Sequence, residues 1–310
     1  MYHGIINVYK ERGYTSFDVV AKLRGICGQK KIGHTGTLDP DAEGVLPVCL
    51  GNATKVCDLL TDRDKEYRAV MLLGLDTDTQ DISGEVLARG DVNGITEEEI
   101  LQTVQSFVGE IDQIPPMYSA LKVNGQKLCD LARKGQVVER KARRIRIDEI
   151  TVEEICLPRV TMTVKCSKGT YIRTLCHDIG ERLGCYGTLE SLLRTRAAGY
   201  RAEDALRLSA LQEKKEQGML AEVIRPVEDV FAEYPACRTK ETADRMLYNG
   251  NALYENQLRP EEEPAGAGSC GRMPRGRIRV RDSRGRFCGL YEYSDEKQAY
   301  RPLKMFLPEV

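Results

Sequence analysis

The sequence predicts an α+β fold, and three observations carry that prediction. Two stretches alternate at period two, Tyr67-Ala69-Met71-Leu73 and Val160-Met162-Val164-Cys166, as strands with one buried face do. Two others repeat apolar residues at helical spacing behind a capping box, Thr15-x-x-Asp18 and Thr96-x-x-Glu99. The last eighty or so residues read as a small β-rich unit, with strands at Arg277 to Val280 and Phe287 to Tyr293.

In chain order, Ile5 to Tyr9 is a short strand. Thr15 and Asp18 open a helix carrying Phe17, Val20, Leu23 and Cys27, and Gly28 ends it. After an irregular stretch from Gly33 to Pro47, Asn52 is placed to cap a helix with Val56, Leu59 and Leu60 on its apolar side. Tyr67 to Leu73 is a strand, and by pattern alone Tyr67 is core. Asp76 to Asp81 is acidic enough for a cation loop. A calcium loop needs Gly sixth and Glu twelfth, where Asp81 and Leu87 stand, so the segment is read as a turn.

Thr96 caps a helix with Ile100, Val104 and Phe107, ended by Gly109. Val123-Asn124-Gly125-Gln126 signals a hairpin, and a short helix closes at Gly135. Arg144 and Arg146 alternate with Ile145 and Ile147, which predicts a strand with a wet cationic face. An extended Thr170 to Arg173 would put Tyr171 and Arg173 on one face; a helix would turn them about 200° apart. Leu175, Ile179 and Leu183, stopped by Gly184, form a helix. Pro226 to Pro235 reads as a junction between residues 1–230 and 236–310, and Arg259 to Ser269 is low in complexity.

Composition bounds the partners. Of 310 residues, 41% are apolar, enough for a sizeable core, and the net charge is −1. The charge is unevenly spread. Lys122 to Arg146 holds nine Lys or Arg against two acids, and Arg272 to Arg286 holds seven Arg against one. Neither island has an apolar amphipathic face, so they fit RNA better than a membrane. Arg140, Lys141, Arg143, Arg144 and Arg146 are therefore expected to meet phosphates. Eleven scattered cysteines include no Cys-x-x-Cys pair, which speaks against zinc and for a reduced, cytoplasmic compartment. Met1 to Lys10 has no apolar core, so no signal peptide is expected, and no run spans a membrane.

The stretch from Gly33 to Pro47 holds three glycines and two prolines in fifteen residues. Pro40 biases Asp39 toward extended backbone. Asp39 thus stands on a stiff irregular loop, beside His34 and two threonines, anchored by the apolar run Val45 to Leu50. An isolated Asp-Pro more often merely opens a turn, and a lone His34 reads as structural.

Gly33-His34-Thr35-Gly36-Thr37-Leu38-Asp39-Pro40, with Gly44-Val45-Leu46-Pro47 and Gly51-Asn52-Ala53-Thr54-Lys55, resembles the catalytic motif of the TruB family, the tRNA pseudouridine-55 synthases. The resemblance continues at Asp64-Lys65-Glu66-Tyr67, Thr77-Asp78-Thr79, Ile114-Pro115-Pro116-Met117-Tyr118-Ser119-Ala120-Leu121-Lys122, Ser167-Lys168-Gly169-Thr170-Tyr171-Ile172-Arg173 and Leu192-Leu193-Arg194-Thr195. It covers roughly the first two hundred residues. Glu11 departs from the proline usual there, outside the chemistry.

The resemblance implies a mixed, mostly antiparallel sheet flanked by helices, with a PUA-like RNA-binding module at 236–310. It implies isomerisation of a tRNA T-arm uridine: the C1′–N1 bond breaks, the uracil turns, and C1′ rejoins C5. The base must leave its stack, at a cost of a few kcal/mol. No redox change occurs, so no cofactor or metal is expected. Asp39, Tyr67 and Arg173 are the implied catalytic residues, Asp39 either attacking covalently or removing a sugar proton. Arg173 is expected to lower the pKa of Asp39. Tyr67 would stack on the base and could take the C5 proton. Tyr171 and Leu192 match pocket positions, His34 the residue that fills the space of the flipped nucleotide, and Lys55 belongs with the substrate-binding set. His3 and His177 acquire no role. No protein partner is implied, and a monomer is expected. Two alternatives remain: a non-catalytic RNA-binding protein, against which the intact Asp39, Tyr67 and Arg173 argue, or a synthase for ribosomal RNA or within a guide-RNA particle. Thr77-Asp78-Thr79 and Ile114 to Tyr118 fit the stand-alone bacterial type better.

Overall fold

The computed structural model describes residues 1–123, 125–261 and 273–307. Strand β1 (Gly4–Lys10) leads to helix α1 (Ser16–Cys27), whose Thr15–Asp18 capping box forms and whose left-handed Gly28 ends it. Then come β2 (Ile32–His34), β3 (Glu43–Leu50), a 3₁₀ turn at Gly51–Val56 and α2 (Cys57–Thr61). β4 (Lys65–Leu73) is followed by the hairpin β5 (Leu75–Thr77) and β6 (Val86–Arg89), then α3 (Glu97–Gln105) and β7 (Gly109–Gln113).

An insertion carries β8 (Lys122–Val123), β9 (Gln126–Lys127) and α4 (Leu128–Ala132) around its own small core of Met117, Leu128 and Leu131. β10 (Arg143–Cys156), β11 (Arg159–Cys166), α5 (Ile172–Arg182), β12 (Gly187–Ala197), β13 (Tyr200–Arg201) and α6 (Leu208–Glu216) complete this part. The remainder holds β14 (Ala236–Thr239), α7 (Asp244–Tyr248), β15 (Leu258–Pro260), β16 (Arg277–Arg281), β17 (Phe287–Ser294) and β18 (Ala299–Met305).

The main sheet runs β1-β3-β12-β4-β11-β10-β7, with β2 on β3 and β13 on β12. Every pairing is antiparallel except β12 with β3. The mixed, mostly antiparallel sheet flanked by helices is thus present. The second sheet runs β15-β14-β16-β17-β18. Period two sorts the faces as predicted. Tyr67, Ala69, Met71 and Leu73 join Val160, Met162, Val164 and Cys166 in one core, closed by α3 and α5. In β1 and β3, Ile6, Val8, Leu46, Val48 and Leu50 face α1 and α6, while Ile5, Val45 and Cys49 face the other way. That second face shares a core with Phe231, Leu290 and Phe306, so the C-terminal sheet is packed onto the main one.

Several local expectations are corrected. Phe17 is 64% exposed, with the Arg24 guanidinium over its ring, and Val19 and Ile26 take its place in the core. Asn52 caps no helix; its Nδ2 donates to the Phe306 carbonyl at 2.8 Å, Leu59 is exposed, and the backbone there is a 3₁₀ turn. α3 ends at Ser106, and Gly109 opens β7 instead. Thr170 to Arg173 is not extended throughout: Tyr171 is the extended cap, and Arg173 lies in the first turn of α5. The hairpin is present as the Val123–Gln126 pair, although Asn124 lies outside the described residues, as do 262–269 of the low-complexity stretch. Among the described residues no helix is long and apolar enough to cross a membrane.

Candidate active site

The site is built on the loop between β2 and β3. Four buried groups hold it from different sides. Lys10, at the end of β1 and fully buried, donates from Nζ to the carbonyls of Ala42 (2.6 Å), Pro40 (3.1 Å) and Glu11 (3.3 Å). Ser16 Oγ accepts from the Leu38 amide at 2.9 Å. The Thr35 hydroxyl donates to the Pro47 carbonyl at 3.1 Å. Arg194 on β12, also fully buried, donates from Nε to the Val45 carbonyl at 2.8 Å and reaches the carbonyls of Gly36 and Thr37 at 3.3 and 3.5 Å. Gly44 lets β12 approach: a Cβ there would stand 2.3 Å from the Arg194 carbonyl oxygen. These bonds fix where Asp39 points.

Asp39 meets Arg173, whose Nε lies 3.0 Å from its Oδ2. The rest of the guanidinium is committed elsewhere. Nη1 donates to the Thr79 carbonyl (2.9 Å) and contacts Asp81 Oδ2 (3.4 Å), and Nη2 donates to the Tyr118 carbonyl (2.8 Å). The contact to Asp39 is therefore one-pronged. α5 starts where it does because Gln113, 1% exposed, accepts from the Tyr171 amide at 2.8 Å and donates to its carbonyl at 3.0 Å.

A cavity of about 330 Å³ opens beside Asp39, lined by Thr37, Leu38, Lys65, Tyr67, Leu121, Tyr171, Arg173 and Leu192 among others. Tyr67, Tyr171 and Leu192 contribute two aromatic side chains and one aliphatic side chain to its walls. A smaller recess of about 130 Å³ also touches Asp39, Arg173 and Leu192 and is lined by Arg12, Asp41, Asp81 and Glu190 among others.

The electrostatics correct one expectation. Burial raises the Asp39 carboxyl above its ordinary range; Arg173 and Lys10 oppose this and Asp81 adds to it. The lowering by Arg173 is present but outweighed. The Asp39 side chain keeps 45% of its surface exposed, so water in the open cavity screens these effects. Burial brings Lys10 and Lys65 each down to about 8. Burial also pushes the Tyr67 and Tyr171 phenols up, so both are neutral near pH 7, and it lowers His34.

Asp39, Tyr67, Tyr171, Arg173 and Leu192 come together at the cavity. His34 stands at the end of β2, half-buried at the foot of the same loop. Lys55 is placed elsewhere: its Nζ donates to the Met305 carbonyl at 2.8 Å and ties the second sheet to the first. Arg144 is paired with Glu110 and Asp112, and Arg146 with Asp148 and Asp64, so the wet face of β10 is largely neutralised. Among the described residues Arg143 forms no ion pair. His3 accepts from the Asn52 amide, a structural role.

Lys10, Asp81 and Arg194 were not assigned from sequence. Lys10 carries a readable signal, because alternation places it on the inward side of β1 with Ile6 and Val8.

Residues 24–172 match the model of the TruB family pseudouridylate synthase (N terminal domain), and residues 173–232 that of the tRNA pseudouridylate synthase B C-terminal domain. A protein of Lachnoclostridium phytofermentans named tRNA pseudouridine synthase B is 51% identical over 98% of this chain and 100% of its own length. Its namesake in Clostridium tetani is 47% identical over 83% of this chain and 87% of its own. The Cbf5-Nop10-Gar1 complex contains a chain that superposes with a TM-score of 0.70 at 29% identity, covering 99% of this chain and 85% of that one. An H/ACA RNP bound to a substrate RNA gives 0.69 at 26% identity, over 99% of this chain and 86% of that one. Fold and sequence thus place the chain among the pseudouridylate synthases. Within them it belongs to the TruB family.

Proposed function

We propose that the protein isomerises uridine to pseudouridine in tRNA, at the T-loop uridine of position 55, with Asp39 as the reacting carboxylate. The observation that carries this reading is Asp39 held 3.0 Å from Arg173 at the edge of a cavity walled by Tyr67, Tyr171 and Leu192, in a chain of this family. The flipped uracil sits between these side chains. Asp39, whose ionised form Arg173 and Lys10 favour against the opposing effect of burial, either attacks C1′ or removes a sugar proton as the C1′–N1 bond breaks. The base turns within these walls and C5 rejoins C1′. Tyr67, neutral and buried, packs on the base and stands next to the C5 proton that must leave.

The tRNA reading is supported by the relatives' names and their near-complete overlap with this chain. The similar chains in the H/ACA RNP and the Cbf5-Nop10-Gar1 complex share 26–29% identity and support the chemistry rather than the substrate. Residues 236–310 act as an accessory RNA-binding domain, His34 fills the space of the flipped nucleotide, and the chain works alone in the cytoplasm. Incubating the protein with an unmodified tRNA transcript and mapping pseudouridine chemically tests the reading. Pseudouridine at position 55 alone is the expected result; none, or conversion only in another RNA, would overturn it.

A further inference from the structure

The bonds around Arg173 extend to a pair of residues with no assigned role, Tyr118 and Asp78. Tyr118 stands at the root of the 114–142 insertion. Its carbonyl takes Nη2 of Arg173 at 2.8 Å, and its hydroxyl donates to Asp78 Oδ2 at 3.1 Å. Asp78 is itself fixed: Oδ1 accepts from the Glu85 amide at 2.8 Å, and Gly84 packs so close that a Cβ there would stand 2.3 Å from that oxygen. Next to Tyr118, Met117 belongs to the small core that holds the insertion together. The catalytic arginine therefore takes one of its bonds from a residue clasped between the β5–β6 hairpin and the insertion.

Resting on the proposed reaction, we infer that Tyr118 and Asp78 form a positioning clasp: the Tyr118 hydroxyl on Asp78 holds the Tyr118 carbonyl where it aims Arg173 at Asp39, so that the seating of the insertion and the readiness of Asp39 are coupled. Three of the guanidinium's directions are set by Thr79, Asp81 and Tyr118. Loss of the Tyr118 anchor frees one of them, and Nε drifts from Asp39. Neither Tyr118 nor Asp78 lines the cavity, so the clasp acts through Arg173 and not on the substrate.

The test is a double-mutant cycle on the full chain with Tyr118→Phe, Asp78→Ala and the double variant, read by single-turnover pseudouridine formation, tRNA affinity and thermal melting. Tyr118→Phe keeps the carbonyl and the ring and removes only the hydroxyl. A hydrogen bond to a charged group corresponds to roughly ten- to a hundredfold, so the rate is expected to fall about tenfold or more, with tRNA affinity within about twofold. The double variant is expected to be no slower than the slower single one, because both remove one interaction. The acid limb of the rate profile should also move to higher pH, since a less well-held Arg173 opposes Asp39 protonation less. A merely structural residue would lower melting and rate together and leave that limb in place. A Tyr118→Phe rate within twofold of the parent, additive losses, or an unmoved acid limb would overturn the clasp. A parent chain that makes no pseudouridine would overturn the proposed reaction instead, and the two failures are distinct.

Discussion

Arg173 touches Asp39 through Nε alone, at 3.0 Å, while its two amino groups are spent on Thr79, Asp81 and Tyr118. A lysine can supply one charge but only one head group, so it cannot serve all of these partners at once. Arg173→Lys should leave at least one part-buried carbonyl without a donor, at about 1 kcal/mol or more. It should also slow single-turnover pseudouridine formation at least about tenfold. Stopped reactions on tRNA together with thermal melting measure both, and a variant matching the parent in rate would remove Arg173 from the chemistry.

Lys10 predicts a different pattern. Its Nζ donates to the Ala42 carbonyl and to that of Pro40, just after Asp39, which also accepts from the Gly13 amide. Lys10→Met keeps the stem and deletes the head. It should cost about 1–3 kcal/mol of stability for the orphaned Ala42 carbonyl and reduce the rate less than changes at Asp39. The native Lys10 lies at about 8, below its ordinary 10.5. Between those values the unfolded chain binds more protons, so this residue makes the parent gain stability as pH rises through that window. Melting across pH 7.5–10.5 should show the parent's gain shrink in Lys10→Met; parallel curves would contradict the assignment.

The C-terminal sheet is not a detachable accessory in the structural sense. Phe306 is 2% exposed and stacks on Phe287 with ring centroids 5.5 Å apart, within a core that includes Val45 and Val56 of the first part. Truncation before Ala236 should therefore destabilise what is left rather than release a clean catalytic unit. Phe306→Ala is the gentler probe and should cost about 3–5 kcal/mol. Chemical denaturation reads this directly. A truncated chain melting like the parent would show that the shared core adds little.

Arg143 and Arg144 should part company on RNA. Arg144 already faces Glu110 and Asp112, so an RNA phosphate must compete with two carboxylates. Arg143→Ala should flatten the log–log salt dependence of tRNA binding by about 0.7–0.9, and Arg144→Ala by less. Equal slopes for parent and Arg143→Ala would return this strand to ordinary solvated surface.

What could be read beforehand follows from which signals are local. The alternation at Tyr67 to Leu73 and at Val160 to Cys166, and both capping boxes, depend on neighbours in sequence, and all four are present. Asp39, Tyr67 and Arg173 were grouped only through motif resemblance, and they line one cavity; by pattern Tyr67 was core, and it is indeed 7% exposed. Arg194 was hidden because β12 carries register shifts between Leu189 and Ser191 and between Arg194 and Arg196, which break the alternation that would have marked it inward. The stretch from Asp76 to Asp81 was read as a turn; Asp76 and Thr77 instead belong to β5, and Asp81, in the β5–β6 connection, bridges to Leu189 and meets Arg173 from a helix distant in sequence. Most acids that face β10 could not be read from its own stretch, because Glu110 and Asp112 come from β7 and Asp64 from before β4; only Asp148, two residues past Arg146, is local.

Asp39→Asn separates chemistry from structure most cleanly. The amide keeps the size of the side chain and removes its charge, nucleophilicity and basicity. Loss of a central catalytic group typically costs roughly 10⁴-fold or more, while tRNA affinity should stay within about tenfold because the cavity walls and the RNA contacts are untouched. The pH dependence has a definite sign. The Asp39 carboxyl lies above its ordinary 3.8 because burial outweighs Arg173 and Lys10. The parent's rate should therefore fall on the acid side at a higher pH than a free carboxylate would dictate. For stability the same raised value means that the native state binds the proton more readily than the unfolded one, so ionised Asp39 is a burden above that window. Asp39→Asn should then melt no lower than the parent at pH 7, and the two should converge as the pH falls through the raised carboxyl range toward 3.8. Single-turnover assays, filter binding and melting on the same preparations give all three readouts. Turnover within tenfold of the parent would refute Asp39 as the reacting carboxylate, and joint loss of rate, binding and melting temperature would make the loop a structural element instead.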